Sequence, residues 1–128
     1  MISAMNLPTP TVYGIPNCDT VKKARTWLSE QGLDHRFHDY KKLGVPAAEL
    51  AQWADALGWE KLLNRQGTTW RKLAPAEQAA VVDAASAQAL MQAQASVIRR
   101  PVIDWGPQAP VRYTAGFHPA DWHWIPAR

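Results

Sequence analysis

The stretch TVYGIPNCDT, residues 11–20, predicts a strand, a turn and the start of a helix. Its first four residues are β-prone, and the Pro-Asn pair that follows favours a turn. Asp19 and Thr20 are residue types found at helix starts. We therefore expect the chain to deliver Cys18 to the N-terminus of a helix.

Helical spacing continues beyond this turn and is followed by a second strand. Val21, Ala24 and Leu28 keep the spacing of one helix face, and Gly32 is a residue type that ends helices. His35–Tyr40 predicts the next strand. These elements form a strand–helix–strand unit of about thirty residues.

A helical lobe is predicted from about residue 44 to residue 97. One amphipathic helix ends at Gly58 and carries apolar residues at helical spacing, namely Leu50, Trp53, Ala54 and Leu57. Residues 62–71 predict a short helix that leaves into a loop, because a polar, glycine-bearing segment follows a brief apolar start. Two further helices are expected after Pro75, with Ser86 as an internal cap.

The last third of the chain returns to strand patterns. Val102–Asp104 and Val111–Thr114 predict strands, and residues 106–110 predict the turn that joins them into a hairpin. Residues 118–124 predict a short closing helix. The order β-α-β, helical lobe, β-β-α is that of an α/β, thioredoxin-like fold with a helical insertion. We expect it to form a single domain over residues 1–128.

Composition and charge limit the location and the partners. A chain of 128 residues with 47% hydrophobic and 20% charged residues is expected to be globular, and glutamines interrupt its Ala-rich stretch 84–98, so no membrane span is predicted. Residues 1–10 lack the pattern of a secretory signal, and a single Cys forms no internal disulfide, so a cytoplasmic location is expected. The net charge of +3 is small and the basic pairs are scattered, so no specific nucleic-acid binding is expected.

Cys18 is the strongest candidate for chemistry, because unpaired N–H groups and the helix dipole stabilise a thiolate at a helix N-terminus. The alternative is a small buried side chain without a chemical role, which is a common fate of a lone Cys. Val21 stands where a Cys-x-x-Cys pair would carry its second thiol. A second thiol must therefore come from another molecule.

Several residues that are predicted to lie near this thiol have alternative roles. Lys22 and Arg25 would add positive potential to the helix or are simply solvated charges, and Asn17 orients a ligand or holds the turn. Pro101, at the entry of a strand, is a place for a cis peptide that presents backbone groups to an extended ligand, with Arg100 pointing toward the thiol. Alternatively, Arg100 is a surface residue and Pro101 blunts an edge strand.

No metal or phosphate site is predicted. The histidine pairs His35 with His38 and His118 with His123 have no Cys or carboxylate cluster beside them to complete a zinc site. Gly14 stands alone, so the glycine-rich loop of nucleotide hydrolases is missing from the sequence.

Four blocks of sequence carry a family resemblance. They are residues 13–25 (YGIPNCDTVKKAR), 67–73 (GTTWRKL), 98–102 (IRRPV) and 115–117 (AGF). On these blocks the chain resembles the arsenate-reductase-like branch of the thioredoxin superfamily, which includes ArsC, the Spx regulators and the YffB-like reductases. The chain is most similar to the YffB-like group, and the resemblance extends over nearly its whole length.

The resemblance implies a function and a set of site residues. It implies a glutathione-dependent thiol–disulfide oxidoreductase with Cys18 as the nucleophile, glutathione as co-substrate and no tightly bound cofactor. The substrate would be a thiol, a disulfide or an oxyanion. Glutathione and substrate are expected to contact Asn17, Lys22, Arg65, Arg100 and Pro101. The alternative is an Spx-like regulator that docks on RNA polymerase, although such regulators resemble redox switches built on Cys-x-x-Cys.

Efficient arsenate reduction is not expected, because the chain departs from the arsenate reductase pattern. Those enzymes carry Arg directly after the Leu-Leu of the lobe, Arg before the Pro, and Arg near the start of the closing segment. Here Asn64 takes the first place, with Arg65 one residue later, and Arg100 fits the second. The third place, at residues 115–117, has no Arg. An oxyanion held by three guanidinium groups is bound more weakly when two of them are displaced or missing.

Overall fold

The computed structural model describes residues 9–125, which divide into two compact units. The first unit consists of the chain up to Lys41 together with the chain from Arg100 on, and the second unit is Lys42–Arg99. Within the described range, every helix falls short of the length and apolar character that a membrane span requires. The expectation that residues 1–10 carry no signal concerns a segment that lies mostly outside this range.

The first unit contains a four-stranded mixed sheet in the order β2-β1-β3-β4. The strands are β1 Thr11–Gly14, β2 Arg36–Asp39, β3 Val102–Asp104 and β4 Tyr113–Ala115. Helix α1, Asp19–Glu30, connects β1 to the parallel β2, and a helical turn, α2, Tyr40–Leu43, follows β2. Strand β3 pairs antiparallel with both β1 and β4. The predicted β-α-β unit, the hairpin and the thioredoxin-like fold are thereby confirmed.

The core of the first unit forms where the apolar residues of each element face inward. The fully buried side chains include Val12 on β1, Val21 and Leu28 on α1, and Ile103 on β3. Trp105 and Trp122 pack edge to face with ring centroids 5.0 Å apart. The indole Nε1 of Trp105 donates a hydrogen bond to Thr114 Oγ1 at 2.9 Å, so the ring is buried without leaving its polar atom unpaired.

The second unit is built from short helices and contains the predicted lobe of about residues 44–97. The helices are α3 Ala47–Leu57, α4 Trp59–Leu62, α5 Thr68–Arg71, α6 Pro75–Ala79 and α7 Ala84–Ala93. Leu50 and Trp53 on α3 are buried, as their spacing predicts. Gly58 follows the helix at φ 85°, a backbone conformation that favours glycine. The two helices predicted after Pro75 are both present.

The structure differs from the sequence predictions in several short segments. Strand β4 is Tyr113–Ala115 rather than Val111–Thr114, and the short helix predicted to begin at residue 62 instead ends there, as α4. Tyr40, expected in a strand, begins α2, and Thr68–Arg71 forms a helical turn where a loop was predicted. The predicted closing helix is only the 3-10 turn Pro119–Asp121. Asp83 rather than Ser86 caps α7: the Asp83 carboxylate accepts from the Ser86 N–H at 2.8 Å, and Ser86 Oγ accepts from the Asp83 N–H at 3.1 Å. One-turn segments contain too few residues for periodicity to identify them.

Candidate active site at Cys18

Cys18 occupies the N-cap position of α1, directly after the turn that follows β1. Its backbone is extended, with φ −127° and ψ 121°, and its carbonyl accepts a helical hydrogen bond from the Lys22 N–H at 2.9 Å. The side chain is half-buried. The predicted strand, turn and helix start are confirmed, and they bring the thiol beside the unpaired N–H groups of the first helical turn.

The surroundings of Cys18 favour its thiolate form. Partial burial raises the pKa of the thiol, but the Val21 N–H, the Arg100 side chain and the Thr20 N–H lower it, and the resulting pKa lies below the usual value. The sulfur makes no cap hydrogen bond of ordinary geometry, yet the two N–H groups lie near enough to stabilise a negative charge on it. Electropositive, partly exposed surroundings of this kind are typical of reactive cysteines.

Arg100 and Pro101 lie immediately before β3 and bring a guanidinium group to Cys18. The Arg100 side chain lies close enough to the Cys18 thiol to hydrogen-bond to it, and its positive charge lowers the pKa of the thiol. The Arg100–Pro101 peptide is cis, which is one of the two arrangements that the sequence predicts. The other arrangement is wrong, because β3 lies between β1 and β4 and is not an edge strand. The Pro101 carbonyl accepts a hydrogen bond from the Gly116 N–H at 2.9 Å.

Three further predicted site residues lie near Cys18 in the sequence or next to Arg100. They are Asn17, Lys22 and Pro101. Asn17 is exposed in the turn directly before the thiol, and Lys22 is exposed one helical turn after it. Pro101 is buried, next to the arginine that lies beside the thiol.

Among residues 9–125, no group of three or more His, Cys, Asp or Glu side chains comes together that could hold a metal ion.

Arg65 belongs to the second unit, where two tryptophans hold its side chain. The Arg65 guanidinium lies over the rings of Trp59 and Trp70, 5.7 Å from each centroid. Asn64, which takes the place of an arginine in the arsenate reductase pattern, accepts a hydrogen bond from the Gln66 N–H at its Oδ1 atom, at 3.1 Å. The Asn64 side chain therefore shapes the local turn.

A cluster of three rings, those of Tyr13, His38 and Tyr40, lies near Arg100 and is not among the sequence predictions. The rings of Tyr13 and His38 are 5.0 Å apart, and those of His38 and Tyr40 are 6.0 Å apart. Burial raises the pKa of Tyr40, and the charge of Arg100 only partly opposes this, so the hydroxyl stays protonated. The Tyr40 hydroxyl has no hydrogen-bond partner among residues 9–125. The alternation of residues 38 and 40 on one strand face was the available signal.

Comparisons with known proteins agree with this fold. The structure of a protein named YffB is 45% identical to this chain, covers 91% of this chain and 98% of its own, and has a TM-score of 0.83. An arsenate reductase (ArsC) related protein from Brucella melitensis is 47% identical, covers 91% and 93% of the two chains, and has a TM-score of 0.68. An uncharacterized protein of Haemophilus influenzae is 40% identical over 93 residues, which are 73% of this chain and 81% of that protein. The sequence model of the ArsC family matches residues 13–125, which include Cys18, Arg100 and the whole sheet from Tyr13 onward, and the chain therefore belongs to the ArsC family.

Proposed function

We propose that this protein is a thiol-dependent reductase in which Cys18 is the nucleophile and glutathione is the co-substrate. The observation that carries the proposal is the position of Cys18 at the N-cap of α1 beside Arg100, where the pKa of the thiol is lowered. Membership of the ArsC family supports the same class of chemistry.

The reaction would proceed by two exchanges at sulfur. The Cys18 thiolate attacks the glutathione sulfur of a mixed disulfide, so that a new S–S bond forms, the old one breaks and the second thiol leaves reduced. A glutathione thiolate then attacks the glutathione sulfur on Cys18, forms oxidised glutathione and releases the Cys18 thiolate. The two electrons that reduce the substrate thiol are supplied by glutathione, which ends as oxidised glutathione.

A lowered pKa assists the second exchange more than the first. A thiol with a pKa near 8.5 is only about 3% thiolate at pH 7, so lowering the pKa increases the reactive population. Nucleophilicity falls at the same time, with a Brønsted slope of about 0.4–0.5, and cancels much of this gain. In the second exchange the Cys18 thiolate is the leaving group, and a lower pKa makes it leave faster with no opposing loss. Arg100, which stabilises the thiolate, would therefore promote release of Cys18 from the mixed disulfide.

The resolving thiol must come from another molecule. Cys18 is the single Cys of the chain, and Val21, at the position of a second thiol, is fully buried in the core of the first unit. A small external thiol fulfils this requirement. We propose that Lys22 and Arg100 attract the carboxylates of glutathione, and that Asn17 and Pro101 border the bound tripeptide.

Adduct formation tests the proposal. After treatment with diamide and glutathione, the intact mass of the wild-type protein should increase by one glutathione, and Cys18→Ser should show no increase. Glutathione should also protect Cys18 from alkylation under the same oxidising conditions. A wild-type protein that forms no adduct would contradict the proposal. Stoichiometric recovery of RNA polymerase subunits with the protein from lysate would instead favour the regulator.

A further inference from the structure

A groove of about 520 Å³ lies along one side of α1, within the first unit. Its lining includes Pro16, Lys22, Arg25, Ser29, Glu30 and His35. Three of these residues follow Cys18 by four, seven and eleven positions, a spacing that places them on the helix face that begins at the thiol. The groove therefore starts one turn from Cys18 and continues along α1.

Arg25 is held in a fixed orientation at this groove. Its Nε donates a hydrogen bond to His35 Nε2 at 3.2 Å, and its guanidinium carbon lies 4.3 Å from the centroid of the Phe37 ring. Burial and the charge of Arg25 lower the pKa of His35, which agrees with a neutral ring that accepts this bond. The terminal NH₂ groups of Arg25 have no other hydrogen-bond partner among residues 9–125. An orientation fixed in advance suits bidentate binding of a carboxylate.

Both positively and negatively charged side chains line the groove. Lys22 and Arg25 supply positive charge, Glu30 supplies negative charge from the last residue of α1, and His35 is neutral. An α-amino-acid head group carries a carboxylate and an ammonium group on one carbon atom. Such a head group complements a cation and an anion that line the same groove better than a simple anion does.

We infer that this groove binds the γ-glutamyl arm of glutathione, with Arg25 holding the α-carboxylate and Glu30 the ammonium group. The inference rests on the proposed function, because it requires the glutathione sulfur to be at Cys18. Arg25 lies seven residues after Cys18, which is about 10 Å along the helix axis. The Cα atoms of two disulfide-bonded cysteines are about 5.5 Å apart, and one further residue adds about 3.5 Å. The longer γ-linkage and the Arg25 side chain span the remainder.

The test compares two disulfides that differ in this arm. Oxidised glutathione carries the γ-glutamyl group, whereas the disulfide of cysteinylglycine lacks it and retains the glycine carboxylate. Arg25→Gln should lower the second-order rate constant of Cys18 with oxidised glutathione by about tenfold, and that with cysteinylglycine disulfide by less than about twofold. Glu30→Gln should show the same selectivity with a smaller loss. Both rates are followed by intact mass.

Matched variants separate this inference from general effects of charge and folding. Arg36→Gln removes the same charge from an exposed position outside the groove lining and should leave both rates unchanged. Arg25→Lys keeps the charge without the bidentate geometry and should lose selectivity in part, which serves as the test if Arg25→Gln does not fold. Equal slowing with both disulfides, or none with either, would overturn the inference. A wild-type protein that reacts with neither disulfide would instead contradict the proposed function.

Discussion

At the scale of single residues, the reactivity of Cys18 depends on groups that act in opposite directions. Burial opposes the thiolate, while two backbone N–H groups and one guanidinium favour it, and the favourable groups prevail. The N–H groups belong to α1 and persist in every folded variant. Arg100 is the one among these groups that a side-chain substitution removes, so its contribution is measurable by itself.

The pH dependence of alkylation measures this contribution. Only the thiolate reacts with iodoacetamide, so the rate should rise through the pKa of Cys18, with a midpoint below the value of about 8.5 that is typical of a free thiol. Arg100→Gln removes the positive charge beside the sulfur, which disfavours the thiolate and should move the midpoint upward. Arg36→Gln, at an exposed site on β2, should keep the wild-type midpoint. A midpoint unchanged by Arg100→Gln would show that the backbone N–H groups alone stabilise the thiolate.

At the scale of elements, the packing of α1 on the sheet depends on Gly14, the last residue of β1. A Cβ atom added to Gly14 would lie 2.8 Å from Cγ2 of Val21, which is closer than such carbon atoms approach. Val21 is fully buried on the inward face of α1. The strand and the helix that delivers Cys18 therefore meet at a place where any larger residue must displace the Val21 side chain or the helix that carries it.

A double-mutant cycle tests this contact. Gly14→Ala should lower the free energy of unfolding by about 1–3 kcal/mol, as overpacking of a well-packed core does. In a Val21→Ala background the colliding methyl group is gone, so the same substitution should be less destabilising. Urea denaturation of the four proteins measures both effects. Equal losses in the two backgrounds would show that the contact with Val21 is not what excludes a side chain at residue 14.

Elements with a repeated pattern were predictable from the sequence. The apolar faces of α1 and α3 each repeat over several turns, and the β3–β4 hairpin is marked by Gly and Pro between two β-prone runs. The helices α2 and α5 were not predictable, because four residues show no period. The closing helix was predicted too long, and Trp122 within it is instead fixed by contacts with Trp27 and Trp105 from distant parts of the chain.

Those parts of the candidate site that depend on consecutive residues were predictable, and those that depend on contacts between distant residues were not. The N-cap position of Cys18 follows from ten consecutive residues, and the position of Arg100 follows from the fold that the element order predicts. The hydrogen bond from Arg25 to His35 joins the middle of α1 to a loop residue ten positions later, and no local pattern indicates it. The burial of Tyr40 near Arg100 likewise depends on how separate elements pack.

At the scale of the whole molecule, the three places where the arsenate reductase pattern carries arginine come from separate parts of the chain. At the second of these places the arginine is present, because Arg100 lies beside Cys18 in the first unit. In the second unit, Asn64 forms a turn and Arg65 lies over two tryptophan rings. At the third place, Gly116 has φ 92° and Phe117 packs against Trp122, with ring centroids 5.7 Å apart. The departures from the arsenate reductase pattern are thus filled by groups with structural partners.

Arsenate turnover and glutathione adduct formation should therefore separate in this protein. Each charge-assisted contact to an oxyanion contributes about 1.5–3 kcal/mol, so two missing contacts predict a deficit of about 3–6 kcal/mol, or roughly two to four orders of magnitude in rate. With glutathione and glutaredoxin supplied, the purified protein should reduce arsenate that much more slowly than an arsenate reductase of the same family assayed in parallel. The same preparation should still form the adduct on Cys18, because that reaction does not use the arginines that this chain lacks at residues 64 and 115–117. Arsenate turnover equal to that of the parallel enzyme would mean that another cation, such as Lys22, replaces the missing contacts, and the departures at residues 64 and 115–117 would then have no bearing on substrate choice.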